Sequence, residues 1–160
     1  MFQHVPFFVQ LIVVRKNSED EPQLVKVAFR DSEGDVETLW AFDLGGNKYR
    51  LDNTPWYQYG VSFEDVIEAL PEHDGMRFFM RVVEKSGFRT VRVRDDTKVP
   101  EPLLAALSAM GCSYEGANPK FIAIDIPPKV DLDGVVRLLI ESGTEWEHAD
   151  PTYEWLHRTA

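Results

Sequence analysis

The chain has a single cysteine, Cys112, among 160 residues. That excludes an intramolecular disulfide and a multi-cysteine metal site, and it fits a reducing, cytoplasmic setting. The thiol follows the end of an expected helix, whose negative pole disfavours a nucleophilic thiolate. Histidine is scarce as well: His4, His73, His148 and His157 lack metal-ligand spacing, so no metal or other cofactor is expected. There is no GxSxG elbow, no GxGxxG and no phosphate-cradling glycine loop, so no nucleophile or nucleotide fingerprint can be named. Long apolar runs are missing. The run from Phe7 ends at Arg15, short of the about twenty residues a membrane helix needs, and no basic leader or cleavage site accompanies it. It reads as a strand, and no membrane partner is expected. Repeats and low-complexity segments are absent too.

Positive charge is the minority sign. There are 27 acids against 17 Lys plus Arg, a net charge of −10. Such a surface repels nucleic acid, and a basic protein would be drawn to it, although the same charge also serves solubility alone. What the chain does have is core material: 44% hydrophobic residues, with ten Phe and four Trp, enough for one large domain or two small halves sharing an interface.

The first part is β-rich with short turns. Leu24 to Phe29 reads as a strand, and Val36 to Leu44 alternates with period two. Gly45, Gly46 and Asn47 turn the chain into a returning strand, Lys48 to Leu51. Phe63, Val66, Ile67 and Leu70 fit either a helical stripe or a short strand, and the segment is taken as strand. Met76 to Lys85 is a long strand, with Phe78, Met80 and Val82 on one face and Phe79 and Val83 on the other, and Thr90 to Arg94 is expected to pair with it as a hairpin across Ser86 and Gly87. Thereafter the rhythm is β, α, β, β, α, β. One helix runs from Pro100 and Pro102 to Gly111, and another follows Asp131 or Asp133 and stops at Gly143. The expectation is an α+β chain: a small β-barrel or curled antiparallel sheet over residues 1–89, then a ferredoxin-like βαββαβ half over 90–160, packed as one unit.

The densest chemistry lies in LDNTPWYQYGVSFEDVIEA, Leu51 to Ala69. Asp52 and Asn53 could direct polar groups at a ligand while Trp56, Tyr57 and Tyr59 stack on it; the same residues could shape a turn and plug a barrel end. Asp65, set among Phe63, Val66 and Ile67, could be desolvated enough to act as a base, or could accept backbone N–H groups. Arg77, Arg81, Lys85, Arg89, Arg92, Arg94 and Lys98 form a local basic region, with Arg77, Arg81 and Lys85 on one face of an unbroken strand, that either holds an acidic group or pairs with the protein's own acids. At the C-terminal end Glu141, Glu145, Glu147, Asp150 and Glu154 interleave with Trp146, Tyr153 and Trp155. That is either a protein-binding face or a solvated rim over core aromatics.

Leu51, Asp52, Asn53, Pro55, Trp56, Tyr57, Tyr59, Gly60, Asp65 and Val66, with Ser86, Gly87, Thr90 and Arg92, make an LDNxPWY…YG…DV…SGxxTxR pattern. It resembles a bacterial domain-of-unknown-function family of small uncharacterised proteins, over roughly residues 24–155. The family pattern carries a glycine where this chain has Glu64, which puts a tight turn there in question. The resemblance brings no activity. It implies that the two blocks share one face, with Asp52 and Asn53 near Arg89 and Arg92. From all this the expected function is a non-enzymatic, cytoplasmic, acidic binding protein. Its most concrete form is an inhibitor or immunity-type protein that blocks a basic, nuclease-like toxin or enzyme. The alternative is a small-molecule or nucleotide-binding domain with its pocket between Asp52–Tyr59 and Arg89–Arg92.

Overall fold

The structure, a computed structural model, describes residues 22–158. The strand expected over Phe7 to Arg15 lies outside them. Five strands, β1 (Leu24–Arg30), β2 (Val36–Gly45), β3 (Lys48–Leu51), β4 (Val66–Pro71) and β5 (Arg77–Glu84), close into a barrel in sequence order. The segment that read as helix or strand is therefore strand β4. Consecutive neighbours pair antiparallel, and β1 meets β5 in parallel at the closure, Val27 opposite Arg77. A five-stranded barrel has a narrow interior, so mid-sized side chains fill it. Val27, Phe29, Leu39, Ala41, Leu51, Ile67 and Ala69 point inward and are buried. The larger Trp40 and Phe42 on the alternate face of β2 lie under cations instead, Lys26 at 5.1 Å and Arg50 at 5.2 Å.

Two expectations for β5 fail for one reason: irregularities break its period of two. The β4–β5 register shifts twice, so Phe79 and Val82 both reach the core while Met80, between them, is 56% exposed. Arg77, Arg81 and Lys85 consequently do not form one basic face. Arg77 donates to the Tyr49 hydroxyl, Arg81 pairs with Glu68, and Lys85 pairs with Asp65 and Asp150.

Strand β6 (Arg89–Arg94) is not the hairpin partner of β5. Both edges of β5 are already taken by β4 and β1, so the chain leaves the barrel at Lys85–Phe88 and starts a second sheet. After β6 come α1 (Glu101–Ala109), β7 (Ser113–Asn118), β8 (Phe121–Ile126), α2 (Leu132–Ser142), β9 (Glu145–Asp150) and the single turn α3 (Tyr153–Leu156). The second sheet has the order β7-β8-β6-β9. Pro at the first turn of α1 suits its missing N–H. Asp131 caps α2 by accepting from Asp133 and Gly134, and Gly143, at φ 71°, ends it. Both helices cover one face of the sheet. There Val91, Val93, Ile122, Ile124 and Ile126 meet Leu103, Leu104, Leu107, Val135 and Leu139 in a closed apolar core. Each such side chain contributes roughly 1.5–3 kcal/mol on burial. The opposite face of the sheet turns toward the barrel and carries the polar residues.

Candidate functional site

The connection from Asp52 to Asp65 leaves β3, crosses onto the polar face of the second sheet, and returns to β4. It starts by locking onto β2: Asp52 N–H donates to the Trp40 carbonyl (2.9 Å), and Asn53 Oδ1 accepts from Trp40 N–H (2.8 Å). Pro55 cannot donate, and the next three N–H groups, those of Trp56, Tyr57 and Gln58, all donate to the Glu37 carboxylate at 2.9–3.3 Å. The carbonyls of the same loop point the other way, at Arg92 from β6. Its guanidinium donates to the carbonyls of Pro55, Tyr57 and Gln58, reaches Glu147 at 3.4 Å, and lies 4.8 Å over the Tyr59 ring. Arg92 is only 2% exposed. One carboxylate and one guanidinium thus hold opposite sides of a loop that has no secondary structure to satisfy its own backbone.

Deeper in the same seam sit two carboxyl groups. Thr54, fully buried, donates its hydroxyl to Asp125 of β8, while its N–H donates to Glu115 of β7 (3.3 Å). Asn53 Nδ2 also reaches Glu115 (3.5 Å), and Ser113 reaches Asp125 (3.5 Å). Burial pushes the Asp125 carboxyl up to about 7, reinforced by the neighbouring Glu115 and opposed by the hydroxyls of Thr54 and Ser113. Glu115 is raised too, chiefly by burial and in part by Asp52. At the other end of the connection Asp65 is buried. Its carboxylate accepts from the N–H groups of Ser62 and Ser86 and pairs with Lys85, which also binds Asp150 and the Gly60 carbonyl. Ser62 in turn meets Thr90 and Asp150. Asp65 is thus an acceptor that ties the connection to the second sheet. Glu64 beside it adopts φ 62°, so the tight turn forms despite the side chain.

Outside the seam the chain leaves an open groove of about 720 Å³, lined among others by Tyr57, Tyr59, Arg94, Phe121, Glu145 and Glu147. A second, of about 670 Å³, continues past Tyr59 and Trp146 to His148, Tyr153 and Glu154. Tyr57, Tyr59, Tyr153 and Trp155 are each about half exposed, at 57%, 49%, 60% and 58%. Tyr59 donates to Glu147 (2.8 Å), and burial and that contact raise its pKa. Glu145 has no ion pair among the described residues. Those residues also include no cluster of side chains suited to a metal ion. No helix among them is long and apolar enough to cross a membrane.

A family model described as Domain of unknown function (DUF4265) matches residues 37–149. The chain belongs to that family. The DUF4265 match starts at Glu37, the acceptor of the loop N–H groups, and ends at Ala149, whose carbonyl accepts from Gly60 (2.9 Å). It therefore spans every residue of the seam except Asp150. No curated protein matches the chain. Among solved structures, a hypothetical protein from Neisseria gonorrhoeae is similar at a TM-score of 0.67 and 17% identity, over 82% of this chain and 96% of that one. At that identity the likeness is one of fold.

The residues singled out from the sequence separate into three places. Trp56, Tyr57, Tyr59 and Arg92 line one groove along with Glu147, whereas Asp52 and Asn53 sit at the start of the loop, against Trp40 and Glu115. Arg89 does not join them. It lies on the helix-side face of β6 with Val91 and Val93, and its guanidinium binds the carbonyls of Pro127, Pro128 and Val130 ahead of α2. Strand alternation puts Arg89 and Arg92 on opposite faces only if the strand is unbroken between them, and against β8 it is. The C-terminal group divides likewise: Glu145 and Glu147 face the barrel side, Trp146 packs toward the helices, Asp150 enters the seam, and Tyr153 and Trp155 stay exposed. Glu37, Glu115, Asp125 and the Thr54 hydroxyl were not anticipated. Asp125 carries a sequence signal, a lone acid inside the apolar run FIAIDI; the others carry none. Cys112 is buried, and burial, rather than the helix end the sequence suggested, is the main cause of its raised pKa.

Proposed function

We propose that the protein is a non-enzymatic binding protein whose groove beside β9 accepts a basic polypeptide. Its most concrete form is a cytoplasmic inhibitor or immunity-type protein that covers a basic, nuclease-like toxin or enzyme. The observation that carries this reading is the conjunction of half-exposed Tyr57, Tyr59 and Tyr153 with Glu145 and Glu147 along two open grooves that meet at Tyr59 and Trp146. Aromatic anchors supply most interface energy, and a net charge of −10 accelerates encounter with a cationic partner. The carboxyl groups of Asp125, Glu115 and Asp65 and the buried Arg92 guanidinium are engaged in holding the seam, which supports binding at the groove over acid–base chemistry by those four groups. The pocket of the small-molecule alternative loses support, since Arg89 faces the helices and the Arg92 guanidinium is occupied by loop carbonyls. The C-terminal half reads as ferredoxin-like: its order β-α-β-β-α-β, with the four strands arranged second-third-first-fourth, supports that description. The test is titration calorimetry, with stopped-flow association kinetics, against the product of the neighbouring reading frame. Binding that weakens steeply with salt, and associates more slowly once Glu145 and Glu147 are both changed to Lys, is the expected result. Binding indifferent to salt and to that reversal overturns the reading.

A further inference from the structure

The barrel has no free edge, so the exposed edges among the described residues belong to the second sheet, at β7 and β9. Only β9 borders the two grooves. It is hydrogen-bonded to β6 on one side, and an edge strand directs every second residue's N–H and C=O away from its single neighbour. The protein closes the far end of that edge itself. The Ala149 carbonyl is taken by Gly60, Ala149 bridges to Thr152, and Asp150 is held by Lys85 and Ser62. What stays open is Glu145–His148. Along it Glu145 and Glu147 face one side, and Trp146 and His148, whose rings touch at 5.0 Å, face the other.

Resting on the reading above, we infer that β9 takes its partner by strand addition: an extended segment with Lys or Arg at alternate positions pairs along Glu145–His148. Side chains directly opposite on neighbouring strands share a face, so a basic i, i+2 pair meets Glu145 and Glu147 beside Tyr59. The residues between meet Trp146 and His148 beside Tyr153, and are apolar or aromatic. Backbone hydrogen bonds supply affinity and the alternate side chains supply selectivity, as in other strand-addition complexes. The same acids argue against a second copy of this chain as the occupant. β9 beside β9 would set glutamates against glutamates on a protein already at −10, and like charges directly opposite are destabilising.

The probe is a synthetic peptide of alternating lysine and valine, followed by fluorescence anisotropy and amide exchange on the full chain. Two derivatives carry backbone N-methyl groups on alternate residues, one in each parity. The parent is expected to bind and to slow exchange at Glu145–His148. One methylated parity should bind about tenfold or more weakly, the loss of a hydrogen bond or two, and the other should bind like the parent. Glu145→Lys should weaken the parent peptide about as much. Equal binding by the parent and both methylated forms overturns strand addition while the basic-partner reading stands. So does binding by the neighbouring-frame product with no binding by any peptide. Failure of both ligands ends both readings, and self-association abolished by Glu145→Lys would make a second copy the occupant and overturn the inference.

Discussion

The two faces of the second sheet bury comparable lengths of the same strands but are built from opposite chemistry. Toward the helices, β6 and β8 present Val91, Val93, Ile122, Ile124 and Ile126, and nothing there needs a partner except Arg89. Toward the barrel, the same two strands present Thr90, Arg92, Ala123 and Asp125, and nearly every polar group is matched to a named atom of the 52–65 connection. The apolar face supplies stability through area. The polar face determines where one loop sits, to the level of individual carbonyls, and its buried charges are costly if either partner is withdrawn. A binding loop held in this way presents Tyr57 and Tyr59 at fixed positions without helix or strand of its own.

The sharpest way to test that contrast is to cut each face once. Arg92→Ala leaves three loop carbonyls without their donor and removes the contact to Glu147, and a loss of about 3–5 kcal/mol in urea unfolding is expected. Ile124→Ala on the other face should cost about 2–5 kcal/mol by lost burial and a cavity. Exchange rates separate the two: Arg92→Ala should loosen amides 56–59 ahead of the rest, and Ile124→Ala should not. If Arg92→Met proves neutral, the polar face is not the device described.

Next in size is the pH response of Asp125. Its carboxyl keeps its proton to about pH 7 in the folded chain, against an ordinary value of 3.8. The folded state therefore binds more protons than the unfolded one between those values, and stability falls as pH rises through that window. Three units correspond to about 4 kcal/mol as an upper bound. Asp125→Asn, which can still accept from Thr54, should flatten the decline and raise the melting temperature above pH 7. A variant and parent that melt in parallel at every pH would refute it. Thr54→Val should cost about 1–3 kcal/mol and move the midpoint of the decline upward, because the lost hydroxyl is one that holds the Asp125 pKa down. The smallest expected effect is Glu64→Gly. Glu64 sits at φ 62°, where a side chain is strained, so glycine should stabilise by about 1 kcal/mol in thermal unfolding.

Much of the fold was legible because its signals are local. Gly45, Gly46 and Asn47 at the β2–β3 turn, Asp131 and Gly143 at the ends of α2, and the alternation of Leu39 with Ala41 each act within a few residues. The hairpin between β5 and β6 was misjudged because adjacency and a Ser–Gly turn look the same whether the next strand pairs back or departs. That choice depends on β1 having already taken the free edge of β5. The site was legible by residue type but not by grouping. Arg89 and Arg92 look like one basic pair in the sequence and lie on opposite faces of β6.

The sequence by itself determined the element order, the caps and turns, the acidic balance and the concentration of aromatics after Leu51, because backbone preference and periodicity are properties of short stretches. Only the tertiary structure decided that Glu37, Arg92, Glu115 and Asp125 meet around that stretch. Those contacts join residues far apart in the chain, and a buried polar group finds its partner by position, not by pattern.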